Sequence, residues 1–576
     1  MEKLKEIMKE RKFKYICFFW SVISIQFILG ENLQEKGHIF ENEQQLLIDV
    51  LRFIFMTIVF IMLHYCILEL FKKLKIKELE ELEERKEIKK KKKIETKDKN
   101  KFLEKTIIKI KGIKRKEIIY FFIIFICWIP TVLAFYPANI AYDGGYQIGN
   151  YFFEHKLLHH PILITKLYTT FYVIGIKMGS PTLGMFFFSL FQMTFMAFAF
   201  SNAVMFIEEQ VNKKWVRNVS LLFYALYPYN QLFSITTTKD VIFAGFILIF
   251  LINLYRVIDK KFKIVDYIFL IIIGVLMLFS RNNSIYMLEV SLPFIIIVLI
   301  KEKSKMLKIV SLFLIIIITY KSANSFLYEI NNNKSINSQG DEGNMRTLIF
   351  AQAVGRTVRD NKENLTDEEK KEISYYFKDY EELGKKYKTN IADDASNMIS
   401  KNINDDKNGF LKFVFELGKK YPISYIESLL DTTRGFWYIC DTSFSNIETY
   451  MHQGSFELYD YGIGAGKCFK VRHDSKLPLL KEMYKLLYCS NFYQSIPILY
   501  VFLQPGIYFY FTLAFLLYAM YKNEKNTLII AILLFVFYAS CYMAACSIIR
   551  YMYPVMVSTP IMLALVEKSK KEGENE

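Results

Sequence analysis

Apolar runs of membrane-spanning length recur along this sequence from Tyr15 to Leu565, and no other feature narrows the choice of fold so far. A hydrocarbon core about 30 Å thick calls for roughly 20 mostly apolar residues per helix. Inside it every backbone N–H and C=O must be satisfied within the segment, which leaves helices as the natural solution for such runs. The runs fall near 15–29, 46–71, 117–128, 184–207, 219–233, 241–254, 264–279, 285–300, 307–320, 496–521, 527–545 and 551–565. A weaker one, 162–176, is interrupted by Lys166 and followed by Lys177. The expected fold class is therefore an all-α polytopic membrane protein of about 12–13 transmembrane helices. The alternation of sides works at twelve, with the weak segment not crossing.

Charge orients these spans. The 576 residues carry a formal net charge of +16, and residues 72–116 hold 20 Lys and Arg against 9 Asp and Glu, a net +11. A basic stretch between two apolar spans is retained on the cytoplasmic side and rests near anionic lipid headgroups. No nucleic-acid motif accompanies it, so no nucleic-acid partner is expected. The connections near Lys213, Lys260 and Lys303 are placed inside by the same rule. The N-terminal basic lead and apolar run lack a small-x-small cleavage site, so the first helix stays uncleaved with a cytoplasmic N-terminus. The expected organisation is an N-terminal hairpin (1–71), a basic cytoplasmic linker (72–116), a membrane core (117–320) with its first outer loop at 137–161, an insertion (321–495) and C-terminal helices with a tail (496–576). The polar insertion is too long for a plain loop and reads as a small, mostly helical extracytoplasmic domain.

On this map the unusual polar groups collect at one side. Asp143, Gln147, His159, His160, Lys239, Asp240, Arg281, Asn282 and Arg550 all sit at or near outer ends of spans. Lys and Arg are scarce at outer boundaries, so Lys239, Arg281 and Arg550 need an anionic partner, a carboxylate of the bundle or a lipid phosphate. Transfer of a sugar from a lipid phosphate to a hydroxyl uses these parts: a carboxylate to take the proton and cations to stabilise the departing phosphate. His155, His159 and His160 with Asp143 offer imidazole and carboxylate ligands suited to zinc or manganese, without the spacing of a zinc motif. A divalent metal therefore stays open. Trp437, with Arg434 and Tyr438, reads either as domain core or as a platform for a sugar face.

The run Asp143-x-x-x-Gln147, then His159-His160-Pro161 and an apolar helix, resembles the first extracytoplasmic loop of the GT-C membrane glycosyltransferases. The later pieces YPYNQLFSITTTKD, SRNNSIYM, GRTVRD, TTRGFW and IIRYMYP resemble the bacterial DUF6020 family, with the likeness running from about Glu117 to the C-terminus. The loop carries one acid followed by glycines where several GT-C families carry paired acids. The resemblance implies a GT-C-like bundle in a bacterial plasma membrane. It further implies transfer from a polyprenyl-phosphate sugar to a cell-envelope acceptor, with Asp143 as base. Arg281, Arg550 and Lys239 become phosphate contacts, and Gln147 and His159 position donor or acceptor. An outer-face glycan polymerase or ligase is the rival among enzymes, and a transporter or lipid flippase the rival outside them.

Overall fold

The computed structural model describes residues 11–90, 102–152, 160–211, 213–259, 263–332, 341–442, 471–489, 496–544 and 546–572. Among these residues the regular elements are all helices, and the only sheet-like pairing is three isolated bridges. Eight helices are long and apolar enough to cross a membrane, and two more, Ile264–Ser280 and Ser284–Leu299, are apolar but shorter. The chain divides into two units, Met1–Ile119 and Tyr120–Glu576.

The first unit holds an antiparallel pair, Arg11–Glu35 and Glu43–Lys90. Its turn is tied by polar groups: Asn32 Nδ2 donates to Asp49 at 2.7 Å, and Arg52 pairs with Glu31 and with Asp49. Leu47, Leu51, Phe55 and Met62 of the second helix are all exposed. Exposed side chains so apolar are costly in water, about 25 cal/mol per Å².

In the second unit the expected run at 219–233 is broken. It forms a helix over Lys214–Leu226 and a short one over Pro228–Phe233, because Pro228 supplies no N–H and forces Tyr227 into extended backbone. The run at 496–521 breaks likewise, into Pro497–Leu503 and Gly506–Lys522, on either side of Gln504 and Pro505. The count of apolar runs therefore exceeds the count of long apolar helices.

The weak segment forms Ile162–Lys177, a helix of 16 residues. It doubles back onto Pro181–Gln210 in a hairpin whose tip requires glycine twice: a Cβ on Gly175 would lie 2.8 Å from the backbone of Gly184, and one on Gly184 only 2.3 Å from the carbonyl of Phe171. Pro181–Gln210 then descends, and Glu208 near its far end meets Tyr120 at 2.9 Å.

Charge sorts between the two ends of this bundle. At one end the basic side chains are paired off, with Arg256 to Glu209 (3.0 Å), Lys525 to Glu302 (2.6 Å) and Lys568 to Asp259 (3.5 Å). At the other end lie Asp143, Lys239, Asp240, Arg281 and Arg550.

The inserted helices attach at this second end. They have their own core, which includes Val354, Phe377, Leu383, Phe410 and Leu417, and Thr366 with Glu369 forms a capping box at one helix start. Arg356 is fully buried and pairs with Asp360, Glu427 and Asp431, while Arg434 joins Asp431 to Asp441. The end of Pro422–Trp437 is fastened to the bundle: Tyr510 donates to the carbonyl of Trp437 at 3.1 Å, Tyr538 to that of Phe436, and Ser547 to that of Thr432 at 2.7 Å.

Candidate functional site

Two short backbone pairings assemble the charged cluster. Asn139 forms a parallel bridge with Thr236, its N–H donating to Ile235 O (3.0 Å) and its carbonyl accepting from Thr237 N–H (2.9 Å). Ala141 N–H donates to the Thr237 hydroxyl at 2.9 Å. Buried Gln192 locks the same turn, with Nε2 donating to the carbonyls of Phe233, Ser234 and Thr236 within 3.1 Å. Asp143 and Lys239 each follow this pairing by a few residues, so their meeting is a consequence of backbone register. On the other flank Ile391 pairs with Cys546, four residues before Arg550.

Gly144 shows how closely these segments approach. A Cβ there would fall 2.2 Å from the Thr237 hydroxyl and 2.4 Å from the Thr237 carbonyl. The glycine after the acid therefore serves close contact.

The cluster that results has three cations over two acids. Asp143 Oδ2 lies 3.6 Å from Lys239 Nζ and 3.3 Å from an Arg550 guanidinium nitrogen. Asp240, with no exposed surface, takes Arg281 on one oxygen and faces Arg550 Nε at 3.8 Å on the other, where Thr238 also donates at 3.1 Å. The Arg281 guanidinium lies 4.8 Å from the ring of Tyr551 and 5.7 Å from that of Phe537, at cation–π distances. The side chains of Asp143 and Lys239 keep 14% of their surface exposed and that of Arg550 10%. These acids supply the partners that the cations need.

His160 is buried, with Nδ1 3.2 Å from Lys239 Nζ. Gln147 lies one turn after Asp143, on the same helix face. It is buried, and its Oε1 accepts from Thr165 at 3.2 Å while its Nε2 has no partner among the described residues. Asn282 is half-buried beside Arg281. His159 and His155 fall outside the described residues. The surroundings do not fit a divalent cation: the Asp143 oxygen faces an ammonium and a guanidinium, and His160 faces the same ammonium. Trp437 is buried, with Nε1 donating to Thr433 at 3.2 Å, so it is core rather than an open sugar platform.

Two groups at the site have no counterpart among the expected residues. Tyr168 is fully buried, its hydroxyl has no hydrogen-bond partner among the described residues, and it lies within electrostatic reach of Asp143, Asp240 and Arg550. Asp393, from the inserted helices, follows the Ile391 pairing by two residues. Burial raises its pKa above the usual carboxylate value, and Asp394 and Asp143 push it further up, while Arg550 pulls it down. A third acid thus comes within electrostatic reach of Asp143 and Arg550, carried by a different part of the chain. Nothing in the residues around either group marks it in the sequence: Tyr168 is one aromatic in an apolar run, and Asp393 one acid in a polar stretch.

A family model described as "Family of unknown function (DUF6020)" matches residues 157–576. The chain belongs to the DUF6020 family. The match takes in Lys239, Asp240, Arg281, Asp393 and Arg550, and it begins after Asp143 and Gln147, later than the motif likeness that starts near Glu117. No curated protein and no solved structure matches the chain.

Proposed function

We propose that this DUF6020 protein is a polytopic membrane glycosyltransferase of GT-C-like architecture in a bacterial plasma membrane. It transfers a sugar from a polyprenyl phosphate to a hydroxyl of a cell-envelope acceptor on the outer face. The observation that carries the reading is the contact of Asp143 with Lys239 and Arg550 at the end of the bundle opposite the basic, paired-off end. By the positive-inside rule the basic, paired-off end is cytoplasmic, which supports a site on the outer face.

In the reaction the acceptor oxygen attacks the anomeric carbon, forming the new glycosidic bond. The bond from that carbon to the phosphate oxygen breaks, and its electron pair leaves with the lipid phosphate. Asp143 takes the acceptor proton; a placed general base of this kind contributes about 10²–10⁴-fold. Lys239, Arg281 and Arg550 stabilise the phosphate as it gains charge. Gln147 Nε2 and the Tyr168 hydroxyl are unspent hydrogen-bonding groups for the acceptor or donor. The inserted helices, which carry Asp393, form the acceptor side of the site. A transporter would need its ionisable groups at mid-membrane depth, whereas these gather at one end.

The test is incubation of right-side-out and inverted vesicles carrying the protein with labelled polyprenyl-phosphate sugars. Transfer by the right-side-out preparation alone is the expected result. Absence of transfer in both, or transfer confined to inverted vesicles, overturns the reading.

A further inference from the structure

An apolar groove runs along the bundle from the charged end toward the opposite end. Its walls are Ser284–Leu299 on one side and Lys525–Ser540 with Gly506–Lys522 on the other, enclosing about 800 Å³. Tyr286, Val290, Phe294 and Ile297 line it at helical spacing from one wall, and Ile532 and Phe535 from the other. From Asn283 to Ile297 the groove follows 14 residues of helix, about 21 Å at 1.5 Å per residue. That is roughly two-thirds of a hydrocarbon core about 30 Å thick.

Three features define what fits. The wall is apolar yet open: Val290 is 48% exposed, Phe294 50% and Ile297 67%. Polar lining is confined to one end, at Asn283 and Ser540. That end adjoins the charged cluster, because Asn283 follows Arg281 by two residues and Ser540 precedes Cys541, whose sulfur contacts the carbonyl of Tyr551, the residue after Arg550. A long hydrocarbon chain joined to an anionic head matches this layout, with the chain in the groove and the anion beside Asn283 and Arg281. A helix is too thick for it, since an α-helix with side chains is about 10–12 Å across, and water gains nothing from such a lining.

We infer that the groove is a binding site for the hydrocarbon chain of a polyprenyl phosphate. The inference rests on the proposed function for the identity of the lipid as a polyprenyl phosphate, while the groove itself calls for a hydrocarbon chain with an anionic head. The chain lies between Ser284–Leu299 and Lys525–Ser540 and enters laterally from the bilayer.

The experiment uses the full chain in vesicles and a polyprenyl phosphate bearing a photoreactive diazirine near the middle of its tail, with labelled peptides located by mass spectrometry. Labelling concentrated in 284–299 and 525–540, competed by unlabelled polyprenyl phosphate but not by excess phosphatidylglycerol, is the expected result. Labelling spread over the outer helix surfaces, or competed equally by phosphatidylglycerol, overturns it. Val290→Trp, at a half-exposed position in the groove, is expected to cut labelling at least tenfold while the melting temperature holds; unchanged labelling also overturns the proposal. Specific labelling without sugar transfer in the wild type contradicts the glycosyltransferase reading and leaves the groove assignment standing. Transfer without groove labelling does the reverse.

Discussion

The two acids of the cluster do different work, and their surroundings say which. Asp240 has no exposed surface and holds Arg281 and Arg550, so its loss strands the buried Arg281 and leaves Arg550 with Asp143 alone. Breaking a buried pair from one side costs about 3–5 kcal/mol, and Asp240→Asn is expected to lower thermal stability in detergent by a shift of that order. Asp143 sits at the rim, partly open, with partners that solvent can reach, so Asp143→Asn is expected to shift the melting temperature far less. Equal losses from the two variants contradict this division. Both acids were legible in the sequence, because a carboxylate just beyond an apolar run stands out. Tyr168 and Asp393 were not, since their significance comes from neighbours distant in the chain. Trp437 shows the opposite limit: an aromatic beside an arginine fits a sugar platform or a core equally well, and burial decides it.

At the scale of elements, register makes the site. The bridge between Asn139 and Thr236 brings Asp143 to Lys239, and it tolerates no side chain at Gly144. Gly144→Ala is expected to push Tyr142–Phe152 off the Thr237 segment, abolishing transfer at least tenfold with most of the thermal stability kept; full activity contradicts the contact. The sequence showed two glycines after the acid but not the Thr237 backbone they meet. The inserted helices bring a pH dependence of their own. In the buried network, Asp360, Glu427, Asp431 and Asp441 outnumber Arg356 and Arg434. Burial raises the Asp431 pKa to about 6 in spite of the two arginines. An unfolded aspartate titrates near 3.9, so between these values the folded state binds the proton more tightly. Stability from this group is fully present below about pH 4 and is lost as pH rises through about 6. Asp431→Asn, which cannot ionise, should therefore gain on the wild type in melting temperature as pH rises from 4.5 to 7. A constant difference across that range contradicts the assignment.

For the unit Tyr120–Glu576 as a whole, the organising fact is the sorting of charge between the two ends of the bundle. This was readable from the lysine-rich connections and from the cations that break the positive-inside pattern. The number of crossings was less readable. Apolar composition marks a run as buried or lipid-facing, but Pro228 and Pro505 cut two such runs, and a close glycine contact packs Ile162–Lys177 against Pro181–Gln210. The inserted helices read correctly as helical from their amphipathic pattern, while their attachment through Ile391, Thr432 and Trp437 depends on contacts that no local pattern encodes. The most direct measurement is the initial rate of sugar transfer from labelled polyprenyl phosphate by Asp143→Asn against the wild type, with both proteins folded and matched in amount. A fall of at least a hundredfold is expected, and an unchanged rate would contradict the role of Asp143 as the proton acceptor.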